Sequence, residues 1–421
     1  MGGQRAPRPV LRGELVDRRG SRDPVADGAG CAGAGGGVLI NYFPRDANRA
    51  KEGRRSSSSA GVRGQIRIGT LGYLRFLAAF AVLCFHWGWN GIQNGKVTTL
   101  DHLPGTSFLL YGYFGVHLFF LISGYLIAAT ARGKTPGDFA KTRAVRLFPA
   151  FWVALAITSV VASFIGGPSM SVSPSQILAN ATMVPGLFNV PAVDGVYWTL
   201  QYELTFYVAV LVVLLLRQGA RLDMIIACWA ILMLAVTLVF PSASELPLLG
   251  SFYSFFAGGA ALNSIRRRGW TVLSSVALAS AFSAGLLSTL RALPVLSEAR
   301  GGDSYDPVVV STVLLAIYLL VLLVSSPQLA HIQLPGDRIL GELTYPLYLL
   351  HAHIGYMLIN HFTVEQGRWL VYVLCFAAVA ALSYAVHRVV EVAWAPFWNA
   401  TFDRLLGRPL NRISEIVTFR N

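Results

Sequence analysis

The sequence predicts an all-α fold: a polytopic membrane bundle of about ten transmembrane helices behind a disordered N-terminal leader. Three observations carry that prediction. Hydrophobic residues make up 54% of the chain and charged residues only 13%, against about a quarter charged in soluble domains, and the mean hydropathy is +0.54. Apolar runs long enough to cross a bilayer recur along the chain. Lys and Arg collect in alternate loops, as expected where short loops face the cytoplasm and the exterior in turn.

Residues 1–67 are rich in Gly, Arg and Ser and show no periodic apolar pattern, which reads as a disordered basic leader. They carry neither the apolar core nor the small-residue cleavage site of a secretory signal. The expected spans then fall near 71–89, 108–129, 146–166, 196–216, 224–240, 249–264, 270–289, 307–324, 339–360 and 369–389, the sixth being short. Together they form one membrane domain over 68–395, with 396–421 as a cytoplasmic tail.

Cations set the orientation. Arg63 and Arg67 precede span one; Arg132, Lys134, Lys141 and Arg143 follow span two; Arg217 and Arg221 follow span four; Arg266, Arg267 and Arg268 follow span six. These loops belong inside, as do both termini, in agreement with Arg404, Arg408, Arg412 and Arg420 in the tail. The alternate loops 167–195 and 241–248 hold no Lys or Arg, and 290–306 mixes Arg291 and Arg300 with Glu298, Asp303 and Asp306, so these belong outside.

The net charge of +13 does not indicate nucleic-acid binding. The leader holds 13 Lys/Arg against 6 Asp/Glu, so 7 of those charges lie there, and orientation with weak attraction to anionic membrane lipids explains the excess. Cys31, Cys84, Cys228 and Cys375 are dispersed, with no CxxC or CxxH pairing, which supports neither a disulfide framework nor a metal site. They read as buried small hydrophobes.

Against this apolar background a few polar residues stand out. Span one places Arg75 and His86 inside a membrane helix, where ionisable groups mark a bundle interior or a reaction path. Eleven positions turn through about 1,100°, so the two side chains share one face, roughly 16 Å apart along it. His86 near the outer end is either an interfacial residue beside Trp87 and Trp89 or a general base, a role that an imidazole pKa of about 6.5 suits.

Arg143 and Arg146, in DFAKTRAVRLFPAFW, lie one turn apart and could clamp a phosphate or pyrophosphate; positive-inside anchoring explains at least one of them. In VYWTLQYELTFYVAV, Glu203 lies five residues in from Trp198 and four before Tyr207. It would orient or charge the imidazole, or else make a structural hydrogen bond. Span nine carries Glu342, Tyr345, Tyr348, His351 and His353, with Pro346 expected to kink it. His351 and His353 point in different directions, so one faces the cavity and they form no metal pair; Tyr348 and His351 would make a polar patch. His117 near the outer end of span two has no assigned role, and Ser123 with Gly124 suits close helix packing. Intramembrane charges alone would equally suit a multi-span transporter or flippase with a substrate or proton path, although no internal two-fold similarity is visible.

Taken in order, five blocks resemble acyltransferase family 3, membrane O-acyltransferases of sugars and glycans. They are Arg75 and His86 in span one, FFLISGYLI at 119–127, the RxxR of Arg143 and Arg146, WTLQYELTFY at 198–207, and LGELTYPLYLLH at 340–351. The resemblance covers roughly 68–395. It implies an acyl-CoA cosubstrate, acetyl-CoA above all, reaching the protein from the cytoplasm, and no bound cofactor. The implied acceptor is a hydroxyl of a sugar, surface polysaccharide or lipid-linked glycan at a bacterial inner membrane. His86 and Glu203 become the expected catalytic residues; Arg75, Arg143, Arg146, Trp198, Tyr207, Tyr348 and His351 become the expected substrate-binding ones. Some family members carry a soluble hydrolase-like domain after the membrane unit; none follows here, so direct transfer within the membrane is expected.

Overall fold

A computed structural model describes residues 69–298, 305–329, 332–363 and 367–419. The expected disordered leader, with Arg63 and Arg67, lies outside the described residues. Among those described, all regular structure is helical, as the apolar runs predict.

Span one is α1 (Gly69–Phe85), which widens into a π-helical turn at His86–Asn90. A 3₁₀ segment, Ser107–Phe114, leads into α2 (Gly115–Ala131). α3 (Pro136–Ile165) starts at the Thr135 side chain, which accepts the Asp138 N–H at 3.1 Å, with Pro136 where no N–H is needed. A short surface helix α4 (Pro174–Ala181) precedes α5 (Trp198–Leu215). Then come α6 (Leu222–Val239), α7 (Tyr253–Arg268), α8 (Val272–Glu298) and α9 (Pro307–Val324). α10 (Asp337–Leu350), α11 (Ala352–Phe362) and α12 (Arg368–Val386) follow, the last ending in a second π-helical turn, His387–Ala393. The expected tail is helical, α13 (Ala395–Phe402) and α14 (Arg408–Phe419). It docks on the start of α3 through Asn411 to the Gly137 N–H at 2.8 Å and Asp403 to Lys141 at 3.4 Å.

Among the described residues, eight helices are long and apolar enough to cross a membrane. The two other expected spans differ for identifiable reasons. The sixth, α7, has 16 residues and is buried at every position from Tyr253 to Ile265, so protein rather than lipid surrounds it. Gly124 on α2 and Gly259 on α7 let these helices close up: a β-carbon on Gly124 would strike the Phe256 carbonyl, and one on Gly259 the Leu121 carbonyl. The small-residue packing expected of Gly124 is therefore present.

The ninth span is interrupted five residues past Pro346, which lies within α10. The interruption lies at His351, between α10 and α11. There the His351 Nδ1–H donates to the Tyr348 carbonyl at 2.8 Å, taking the acceptor that the Ala352 N–H would use in a continuous helix. Other elements bond to the backbone here: Asp194 accepts the His353 N–H at 2.9 Å, and Trp87 Nε1 donates at 2.7 Å to the His351 carbonyl, which also accepts the Gly355 N–H at 3.1 Å.

Ion pairs tie the loops at one end of the bundle and hydrogen bonds those at the other. At the end nearer Arg75, Asp223 at the head of α6 takes Arg132 after α2 and Arg267 and Arg268 at the end of α7. At the end nearer His86, Arg368 donates to the Asp101 carbonyl at 3.0 Å, and Asn360 holds the Thr98 N–H at 2.9 Å. The cation-rich and cation-poor loops thus sort to opposite ends.

Candidate functional site

Two adjoining cavities formed by the described residues carry polar candidate residues. The first, about 180 Å³, is lined by His86, Asn90, Asn94, Lys96, Tyr113, Gly195, Trp198, Tyr348, His353 and Tyr356. The second, about 50 Å³, is lined by Arg75, Phe119, Phe120, Ser123, Thr199, Glu203, Tyr345 and Tyr348. Val116 and Tyr348 belong to both, so the two are separated by little more than those side chains. The shared face of α1 carries one candidate residue into each.

In the larger cavity the π-helical turn sets the geometry. It carries His86 and Asn90 on one wall, and such turns are common at functional sites. His86 Nδ1 hydrogen-bonds to the Tyr356 hydroxyl, and Asn90 Nδ2 donates to the same hydroxyl at 3.1 Å. The ring of His351 stands edge-on to His86 at 5.1 Å between centroids.

Three residues further back on α11, His353 makes a separate polar group. Its Nε2 receives Lys96 Nζ and, at 3.4 Å, the Gly195 N–H. Beside it the wholly buried Asp194 spends its carboxylate on the N–H groups of His353 and Val196, at 2.9 and 3.1 Å, near the starts of α11 and α5. Burial lowers the Lys96 pKa below the ordinary lysine range, and Asp194 partly opposes that.

Around the smaller cavity Tyr207 donates to Glu203, and Arg75 has Arg146, Glu203, Tyr207 and Glu391 as its charged and polar neighbours. Among the described residues Arg75 makes no direct ion pair, so its guanidinium is held at the cavity wall by surroundings rather than by one carboxylate. Arg146 pairs with Glu391 at 3.1 Å and lies over the Tyr345 ring at 5.4 Å. Glu391 in turn accepts His387 Nδ1 at 2.8 Å, both from the second π-helical turn. Arg143 stacks on Tyr207 and Phe139, at 5.6 and 5.9 Å, and its Nε has no hydrogen-bond partner among the described residues.

The structure therefore gathers His86, Trp198 and Tyr348 around one cavity, and Arg75, Glu203 and Tyr348 around the other, with Tyr207, Arg143 and Arg146 behind the second. Glu203 is not beside His86, so its expected role of orienting the imidazole falls to Tyr356 and Asn90. His351, expected at the cavity, lines neither; it is wholly buried and holds the helix break, and His353 takes the cavity position instead. The clamp pair divides between a carboxylate and an aromatic face. His117 is buried among Phe114, Phe252 and Phe255 as a packing residue.

Residues that sequence reasoning missed are Asn90, Lys96, Asp194, Tyr356 and Glu391. Two of them had a signal: Lys96 is the one Lys or Arg between spans one and two, and Asp194 the one ionisable residue in the loop 167–195.

A family model for an acyltransferase domain matches residues 68–388. Nodulation protein 10 of Rhizobium leguminosarum bv. viciae is 31% identical over 155 residues, covering 32% of this chain and 41% of that protein. Exopolysaccharide production protein ExoZ of Rhizobium meliloti (strain 1021) is 26% identical over 257 residues, 57% of this chain and 76% of that protein. This chain's match thus spans less than half the length of the first relative and about three quarters of the second. No solved structure matches. The matched region takes in both cavities and every helix that lines them, and on that ground the chain belongs to acyltransferase family 3, the membrane O-acyltransferases.

Proposed function

We propose that the protein transfers an acyl group, acetyl in the first instance, from cytoplasmic acyl-CoA to a hydroxyl of a surface polysaccharide or lipid-linked glycan. One observation carries this reading: His86, held at Nδ1 by Tyr356, lines a cavity that abuts the Arg75 and Glu203 cavity across Tyr348 and Val116. The end of the bundle with the Asp223 cluster, rich in arginine, is taken as cytoplasmic.

His86 Nε2 then takes the proton of the acceptor hydroxyl as its oxygen attacks the thioester carbonyl. The carbon–sulfur bond breaks, and the departing thiolate is protonated. Arg75, roughly 16 Å along the helix from His86 and in the adjoining cavity, is a supporting cation on the donor's side. Arg143, with no carboxylate in direct contact among the described residues, is the better placed of the arginine pair for a CoA phosphate. Arg146 would first have to exchange Glu391. The relatives support a glycan acceptor, since one is named for exopolysaccharide production.

The experiment compares incorporation of labelled acetyl from acetyl-CoA into membrane and secreted glycan by the intact protein and by His86→Ala. Loss of transfer in a variant that still inserts is expected. Equal incorporation by both removes His86 from the reaction.

A further inference from the structure

We infer that the larger cavity recognises an oxyanion on the acceptor, a carboxylate or a phosphate, through Lys96; the inference rests on the acyl-transfer reading above.

Lys96 is half-buried and lines the same cavity as His86. Its Nζ sits on His353 Nε2, which also faces the Gly195 N–H. A nitrogen that meets two donors is an acceptor, so His353 is the neutral tautomer with its proton on Nδ1, directed at the Val193 carbonyl. Lys96 is therefore the donor, and an ammonium has three protons to give. His353 uses one.

The nearby carboxylate does not neutralise this charge by contact. Asp194 is wholly buried and commits both oxygens to the His353 and Val196 N–H groups. Among the described residues no carboxylate forms an ion pair with Lys96. The same wall includes the amide of Asn94, a donor that suits an anion. A half-buried ammonium without a contacting counter-ion is disfavoured unless something else meets it. Nothing in the recognition of a neutral sugar hydroxyl requires it, whereas an oxyanion takes up the two remaining protons in charge-assisted hydrogen bonds. His353 and Tyr356 are three residues apart on α11, with ring centroids 6.0 Å apart, and carry Lys96 and His86 respectively. An anion held at Lys96 would thus fix which hydroxyl of the same sugar or its neighbour reaches His86.

The oxyanion has two sources, an acidic sugar or the phosphate that joins a glycan to its lipid. The test uses the full chain in liposomes with labelled acetyl-CoA. The acceptor is surface polysaccharide and lipid-linked glycan extracted from cells lacking the protein. It is supplied untreated, after reduction of its carboxylates to alcohols, and after mild acid release of the lipid phosphate. On untreated acceptor, Lys96→Gln is expected to raise the acceptor KM about tenfold, equivalent to ~1.4 kcal/mol. Lys96→Arg, which keeps the charge, should stay within about threefold of the unmodified protein, which separates loss of charge from misfolding. The gap between unmodified protein and Lys96→Gln should close in one treated arm, and that arm identifies the source. An unchanged KM for Lys96→Gln on untreated acceptor, or a gap that persists in both treated arms, overturns the inference and leaves acyl transfer standing. Absence of transfer by the unmodified protein overturns both.

Discussion

Tyr356 and His86 stand 270 positions apart in the chain and meet in a hydrogen bond between the phenol hydroxyl and imidazole Nδ1. Asn90 supports the same hydroxyl from the next turn of the span-one helix. A histidine bonded at Nδ1 has its ring orientation set, and with Nδ1–H donating to the phenol oxygen its Nε2 is the acceptor for proton exchange.

Replacing Tyr356 by Phe keeps the ring that packs on Gly91 and removes the hydroxyl. The expected result is a fall in kcat of about tenfold to a hundredfold, ~1.4 to 2.7 kcal/mol, with the acyl-CoA KM little changed. The pH profile of kcat should move as well, and Asn90→Ala should show the same change more weakly. An unaltered kcat and profile would reduce Tyr356 to packing.

Glu203 accepts the Tyr207 hydroxyl and is the carboxylate that lines the Arg75 cavity. Glu203→Gln retains the shape and deletes the charge beside an arginine that has no direct ion pair among the described residues. Transfer should drop by at least about tenfold at every pH while the protein remains inserted. Full activity across the pH range would mean that a hydrogen bond alone is needed there.

The two arginines of the RxxR pair should separate in experiment. Arg146→Ala leaves Glu391, which is only 12% exposed, with His387 in place of an arginine, and should cost about 1–3 kcal/mol, visible as a lower Tm in detergent. Arg143→Ala removes an aromatic stacking contact worth about 0.5–2 kcal/mol and should act mainly through a higher acyl-CoA KM. Donor titration and thermal unfolding of both variants check this. A common response in both measurements would assign the pair to topology.

Gly259→Leu tests the close contact of α2 with α7. Its side chain has to enter the backbone of α2 at Leu121, so the helices must part, and a loss of about 1–3 kcal/mol or more is expected. Because α2 also carries Phe119, Phe120 and Ser123 into the Arg75 cavity, activity should fall with Tm. A variant of normal stability would show that α7 has another place to sit.

Lys96 supplies a pH dependence. Its pKa is lowered by burial, so its proton leaves at a pH below the ordinary lysine value of 10.5. Loss of that proton removes the charge that binds the acceptor. The acceptor KM should therefore begin to rise with pH before 10.5 is reached, and Lys96→Arg should delay the rise. Asp194, His353, His86, Tyr113 and Tyr356 are the other titratable groups around it. Parallel profiles in the unmodified protein and Lys96→Arg would exclude Lys96 as the source.

The membrane class, the order of the spans and the family were legible from residues alone, because each rests on a local signal. Twenty apolar residues in a row have few alternatives to a spanning helix, and arginines in alternate loops record the orientation. The pairing of Arg75 with His86 on one face of α1 follows from helical repeat and needs no partner helix. Partners across the bundle were not legible. The interruption at His351 was not legible, because it depends on an imidazole that captured the Tyr348 carbonyl and on Asp194, from another segment, meeting the His353 N–H. Glu203 looked like the partner of His86, but similar depth in two spans says nothing about azimuth, and packing turned it toward Arg75. Tyr356, Lys96 and Asp194 came to the site only once distant segments were brought together. The sequence by itself determined which residues lie in apolar helical runs and where along each run, since those depend on run length and helical rise. Only the tertiary structure decided which of them touch, since that depends on how each helix is rotated against its neighbours, and small residues such as Gly124 and Gly259 set that rotation through contacts far apart in the chain.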